Sequence, residues 1–260
     1  MRHALVLLTV LFACQALAGP RIGIIIDDLG NRGALDRRAV ALDGPVAMAV
    51  LPDTPYAHRI AESAHAAGKE VLVHMPMQSI NDPDPPPNFL SLETTRAGLV
   101  RRVEHALASV PYAAGLNNHM GSLMTRHPGD MNWLMQELSR HPGLFFVDSR
   151  TTPRTVAAEI AREDHVPVLS RDVFLDDVLD DASVSRAFDR LLAVARRNGQ
   201  ALAIGHPHPV TLGVLERRLP ELQAAGVTLV PLSELLSEKT QWQPYLSQSP
   251  TAAKKSKLSR

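Results

Sequence analysis

The stretch Ile22-Gly23-Ile24-Ile25-Ile26-Asp27-Asp28-Leu29-Gly30 constrains the fold of this chain more than any other. An unbroken apolar run of this kind suits a strand buried on both faces. It stops at two adjacent carboxylates, with a glycine two residues further on. Successive strand side chains point to opposite faces, so Asp27 and Asp28 are expected to share a site only where the strand ends and the chain turns. There one can hold a cation while the other takes a proton. Taken alone, the pair reads more readily as a solvated strand-to-helix turn with an aspartate cap. Its recurrence downstream gives the functional reading its weight.

From Arg21 onward, apolar runs alternate with amphipathic stretches. Strands are expected over 22–27, 46–51, 70–74, 113–117, 144–147, 166–169, 201–205 and 227–231. Helices are expected over 31–42, 55–67, 94–109, 130–139, 153–162, 183–198 and 212–225, with a short one capped by Ser233. Between the third strand and its helix, Asn81–Asn88 holds four prolines. That stretch can be neither helix nor central strand and reads as an extended loop beside the end of the third strand. Short connections between alternating elements imply a parallel sheet. About eight such units in roughly 220 residues point to an α/β fold, a closed or nearly closed (β/α) barrel of parallel strands. An open doubly wound sheet is the alternative.

The termini differ from this body. Arg2 precedes an apolar stretch, Ala4–Ala13, and Ala16-Leu17-Ala18 fits a small-x-small cleavage site, so residues 1–18 read as an export leader. The apolar run is too short to span a membrane. The only cysteine, Cys14, falls inside this leader, which leaves a mature chain without thiols. A rival reading makes Cys14 the acylated residue of a lipoprotein. Residues 239–260 are rich in Gln, Ser, Pro and Lys and read as a disordered tail, leaving 19–238 as the folded domain. Export without a lipid anchor implies the periplasm of a cell with an outer membrane. Formal net charge is zero, but the cations Arg2, Lys254, Lys255, Lys257 and Arg260 lie in the leader and tail, so the body is net acidic. It offers no electrostatic footprint for nucleic acid.

At the expected strand ends stand Asp27, Asp28, Asp53, His74, Asn117, Asn118, His119, Asp148, Asp176, Asp177, His206 and His208. In a parallel barrel these ends open on one face, where the loops build the site. Each has a bland reading as a turn residue or a satisfied buried imidazole, but their gathering on one face by chance is improbable. Histidine and carboxylate suit a zinc-type centre, and three protein ligands would leave a position open for water. Asn118, Arg150 and His208 are taken as residues facing substrate. The other histidines, on or beside helices, receive no role.

Ile24-Ile25-Ile26-Asp27-Asp28-Leu29-Gly30 resembles the Asp-Asp motif that opens the polysaccharide deacetylases. Val71–Met77, Gly115–Ser122, Phe146–Thr152 and Ile204–Pro209 are similar to the divergent branch of that superfamily, in the expected order over about residues 20–236. The resemblance implies a distorted (β/α) barrel of seven to eight parallel strands carrying a divalent cation, zinc the leading candidate. By it, Asp27 matches the catalytic base, Asp28 the metal aspartate, His74 the first histidine of a His-Ser/Thr-x-x-His motif and His206 the acid. Asp148 matches the late carboxylate that orients a catalytic group. The chain departs from the family at Gln78, which stands where the second histidine belongs, and His119 is the candidate third ligand. The expectation is an exported hydrolase that removes N-acetyl groups from amino sugars of a cell-envelope glycan. A metal-holding but inactive glycan- or protein-binding module is the second reading, and phosphoester hydrolysis the third.

Overall fold

The computed structural model describes residues 19–81 and 88–237. The leader, the tail and most of the proline-rich loop lie outside them. In chain order the elements are β1 (Arg21–Leu29), α1 (Gly33–Val40), β2 (Ala47–Val50), α2 (Ala57–Ala66), β3 (Val71–Met77), α3 (Arg96–Ser109) and β4 (Ala113–Met120). Then follow α4 (Pro128–Leu138), β5 (Phe145–Asp148), α5 (Ala157–Glu163), β6 (Val168–Ser170), β7 (Val173–Phe174), α6 (Asp181–Asn198), β8 (Gln200–Gly205), α7 (Pro209–Arg218), β9 (Thr228–Leu229) and α8 (Leu232–Ser237). Helix α6 shows how sequence makes these helices. Asp180 caps it by accepting from Ser183 N at 2.8 Å, Val184, Ala187, Phe188, Leu191, Leu192 and Ala195 form its buried stripe, and Gly199 at φ +83° ends it.

All strand pairs are parallel, in the order β6-β5-β4-β3-β2-β1-β8-β7. The two ends of that order are neighbours in the chain. β6 pairs with β5, and Arg171 N continues that ladder to Asp148 O. Asp172 N then bonds Leu202 O, and β7 pairs with β8. One extended stretch, 168–174, thus passes from one neighbour to the other and closes the barrel. Sequence reading found its first half only. Strand β9 pairs with Arg21 and Ile22, on the β1 edge that β2 takes from Ile25 onward.

Apolar residues fill both faces of the sheet, which is why the strands read as continuous runs. Ile22, Ile24 and Ile26 join the outer layer with the helices. Ile25, Ala47, Ala49, Leu72, Phe145, Val147, Leu202 and Ile204 fill the barrel interior, closed from the N-terminal end by Leu232, Leu235 and Leu236 of α8. This plug explains the glycine in the isoleucine run: a Cβ on Gly23 would lie 2.7 Å from Leu235 Cδ1 and 2.9 Å from Leu232 Cδ2. Among the described residues no helix is long and apolar enough to cross a membrane.

Candidate metal centre and active site

Asp27 follows Ile25 on the inward face of β1, at the C-terminal mouth of the barrel, and is 2% exposed. Strand alternation would send Asp28 outward. Instead Asp28 adopts φ +58°, and the pairing with β2 shifts register between Ile26 and Leu29. Aspartate tolerates this left-handed conformation better than most residues, and the resulting bulge turns its carboxylate toward the mouth. The strand therefore continues to Leu29, and the irregularity inside it lets both carboxylates share the site.

Strands β3 and β4 supply the opposite wall. A register shift after Val71 aligns His74 with Asn117 and Pro76 with His119. Asp28 Oδ1 lies 3.2 Å from His74 Nε2 and 3.0 Å from His119 Nδ1, and those two nitrogens are 3.1 Å apart. Asn117 sets the chemistry of this triangle. Its amide donates to Asp27 Oδ1 at 2.8 Å, so its carbonyl oxygen is left to accept from His74 Nδ1, also at 2.8 Å. In the neutral ring, His74 Nε2 therefore carries the lone pair, turned toward Asp28.

The donor set fits a divalent cation. Asp28 Oδ1 is buried and makes no hydrogen bond, although two ring nitrogens lie beside it. Three donor atoms around one point have this arrangement. Bonds of about 2.0–2.2 Å in a tetrahedral shell would place such ligands roughly 3.3 Å apart, close to the separations here. Electrostatics agree. Burial opposes charge on Asp28, but the His119 and His74 imidazoles outweigh it and hold the carboxyl well below the usual range. Burial likewise opposes protonation of His74, yet Asp27 and Asp28 raise its pKa. The pocket draws positive charge, and a bound cation would take the place of that proton.

Burial pushes the Asp27 carboxyl up, against the pull of His74 and His206. His206, just beyond β8, turns Nε2 toward the same centre, 3.9 Å from Asp28 Oδ2. Its Nδ1 lies 3.0 Å from Asp176 Oδ1, and its backbone N–H donates to Asp176 Oδ2 at 2.7 Å. Thr211 Oγ1 donates to that same oxygen at 2.8 Å. Burial works against the His206 imidazolium, but Asp176 overrides it, with Asp27 and Asp28 adding to the effect, and lifts its pKa to about 9.

Of the residues expected from sequence, Asp27, Asp28, His74, His119 and His206 converge. Asp148 does not take the place expected of it. It lies next to inward-facing Val147, and its oxygens accept from Arg150 N at 2.9 Å and Thr155 Oγ1 at 3.0 Å, tying the loop after β5. The carboxylate that holds the histidine is Asp176. Asn118 is also differently engaged. It is 1% exposed, accepts from Ser149 N and donates to Met120 O, so it braces two strand ends rather than facing substrate. Arg150 is exposed beside the mouth at φ +50°, and the His208 ring lies 6.0 Å from that of His206. Gln78 accepts from Leu92 N through its side chain and from Leu123 N and Met124 N through its carbonyl, which anchors loops. Asn117 had no sequence-assigned role. Its spacing of two from His119 is the signal that places both on one face.

Residues 24–236 match the family model described as divergent polysaccharide deacetylase. The uncharacterized protein YibQ of Escherichia coli (strain K12) is 40% identical over 230 residues, covering 87% of this chain and 72% of that one. An uncharacterized protein of Haemophilus influenzae is 38% identical over 231 residues, covering 87% and 82%. Among solved structures, an uncharacterized protein from Agrobacterium tumefaciens C58 superposes with a TM-score of 0.80 at 24% identity, covering 84% of this chain and 89% of that one. A mutant CE4 family pseudoenzyme with restored enzymatic activity gives 0.55 at 14% identity, covering 84% and 68%. Both structural likenesses show the fold.

Proposed function

Since the chain belongs to the divergent polysaccharide deacetylase family, we propose that it is a metal-dependent hydrolase removing N-acetyl groups from amino sugars of a cell-envelope glycan. The observation that carries this reading is the orphaned Asp28 Oδ1 between two imidazole nitrogens, beside a separate buried carboxylate. A divalent ion held by Asp28, His74 and His119, zinc by its donor set, would polarise the acyl carbonyl. Asp27 takes the proton of the attacking water; its raised pKa makes it a stronger base than an ordinary aspartate. Asn117 holds one Asp27 oxygen and leaves the other for that proton. His206, protonated through Asp176 and turned into the mouth, then gives its proton to the departing amine. The products are acetate and the free amino sugar.

Gln78, in the place of the family's second histidine, favours the binding-only alternative; the proposal answers it with His119 as the third ligand. The wild-type form of the restored mutant above, from Bacillus anthracis, is described as a pseudoenzyme, so activity needs a direct test. Acetate release from N-acetylated glycan oligomers by zinc-loaded protein supports the proposal, and none from any such oligomer refutes it. The leader-like residues 1–18 support export to the periplasm. Intact mass of the exported protein should then show a start at Gly19, whereas a lipid-modified start at Cys14 would favour the lipoprotein.

A further inference from the structure

Among the described residues six large apolar side chains are between 39% and 57% exposed. Five of them, Tyr56, Ile80, Met120, Val178 and Leu179, stand in loops or at a strand end on the mouth side of the barrel. The sixth, Tyr112, precedes β4 at the other end and stacks on His65. None lies on a helix. Single exposed apolar residues scattered over a surface are ordinary; five of six on the face that bears the site is a pattern.

The backbone holds three of these residues out. Val178 and Leu179 lie between Asp176, fixed by its bonds to His206 and Thr211, and Asp180, which caps α6 while its N–H bonds Val178 O at 3.0 Å. Met120 follows His119 at φ +54°, and its carbonyl accepts from Asn118 Nδ2 at 2.7 Å and Thr151 Oγ1 at 2.8 Å. These anchors fix the backbone of both segments at the rim. Within the barrel, meanwhile, Ile25, Leu72, Val147 and Ile204 are fully buried and pack into one cluster. A long acyl chain has no space beneath the centre, so the hydrolysed acyl group must be short and the rest of the substrate must lie across the rim.

We propose, resting on the amino-sugar reading above, that the substrate carries an aliphatic chain on its sugar side. It would be an N-acylated amino sugar joined to a lipid-like aglycone, with the chain lying against Met120, Val178 and Leu179. The pattern favours this over a purely polar glycan, which would leave these side chains in water in the complex too.

The test titrates zinc-loaded protein with methyl, hexyl and octyl N-acetylglucosaminide, each below its micelle concentration, and follows binding by calorimetry. Affinity should rise with chain length, by at least ~10-fold from methyl to octyl if a few methylenes are buried. The double variant Val178→Ser with Leu179→Ser should lose that gain while binding the methyl ligand as wild type does, and Met120→Gln should lose part of it. Equal affinity along the series overturns the proposal alone, as does a gain that survives in the double variant. No binding by any of the three overturns the amino-sugar reading and this proposal with it.

Discussion

The two ends of this barrel each hold a carboxylate, and they treat it differently. At the N-terminal end Glu70 accepts from Leu232 N at 2.6 Å and Ser233 N at 3.1 Å, so both oxygens tie down the helix that plugs the barrel. At the C-terminal end the Asp28 side chain is partly exposed, but its Oδ1 is buried and makes no hydrogen bond. A buried polar atom left unpaired costs stability, and a fold tolerates that cost where the atom serves another partner. β1 joins the two ends: Gly23 makes room for leucines at one, and Asp27 and Asp28 face a cation pocket at the other. On the proposed reading, the contrast separates a carboxylate that builds structure from one kept free for a metal ion.

If the mouth is chemical, its support should matter most. Asp176→Asn removes the charge that keeps His206 protonated, so acetate release should drop by ~10²–10⁴, the usual worth of a general acid. The ion should stay bound, as metal analysis of the same sample would check. The plug should respond in the opposite way. Leu235→Ala should cost about 2–5 kcal/mol in urea unfolding and leave ion stoichiometry unchanged; a change in ion binding would show that the two ends are coupled. His119→Ala should weaken ion affinity at least ~10-fold with unaltered thermal stability of the ion-free protein. Unchanged affinity would mean that the third ligand lies elsewhere.

The smallest effect is expected at Glu70. Burial raises its pKa above the ordinary 4.5, against the pull of Ser233 and Leu232. The folded protein then holds this proton more tightly than the unfolded chain does. Stability should therefore fall as pH rises from the ordinary carboxylate value through the raised one, and stay level above it. Glu70→Gln should flatten that part of the curve, measured by urea unfolding at a series of pH values.

Much of this was legible in the sequence because parallel strands buried on both faces announce their ends. The polar residues in or just beyond their C-terminal halves, Asp27, His74, His119 and His206, were therefore visible as a group. The same feature hid the rest. When both faces are apolar, sequence does not say which face looks inward, so nothing marked Asp176 rather than Asp148 as the carboxylate that orients a catalytic group. Geometry separates them, since Asp148 follows an inward valine and is spent on its own loop. The left-handed turn at Asp28 leaves no pattern beyond aspartate's tolerance of it. β7 is two residues long, too short for any periodicity. Asn117 gains its role only when three strands bring Asp27 and His74 to its two amide atoms.

The most direct test sets the two neighbouring aspartates against each other. Wild type, Asp27→Asn and Asp28→Asn are each equilibrated with zinc, then assayed for bound metal and for acetate released from N-acetylated glycan oligomers. Wild type and Asp27→Asn should each hold about one ion per chain, with acetate released only by wild type, while Asp28→Asn should fail on both counts. Full metal binding by Asp28→Asn, or equal inactivity of wild type and Asp27→Asn with the ion in place, would contradict the division of labour between these two residues.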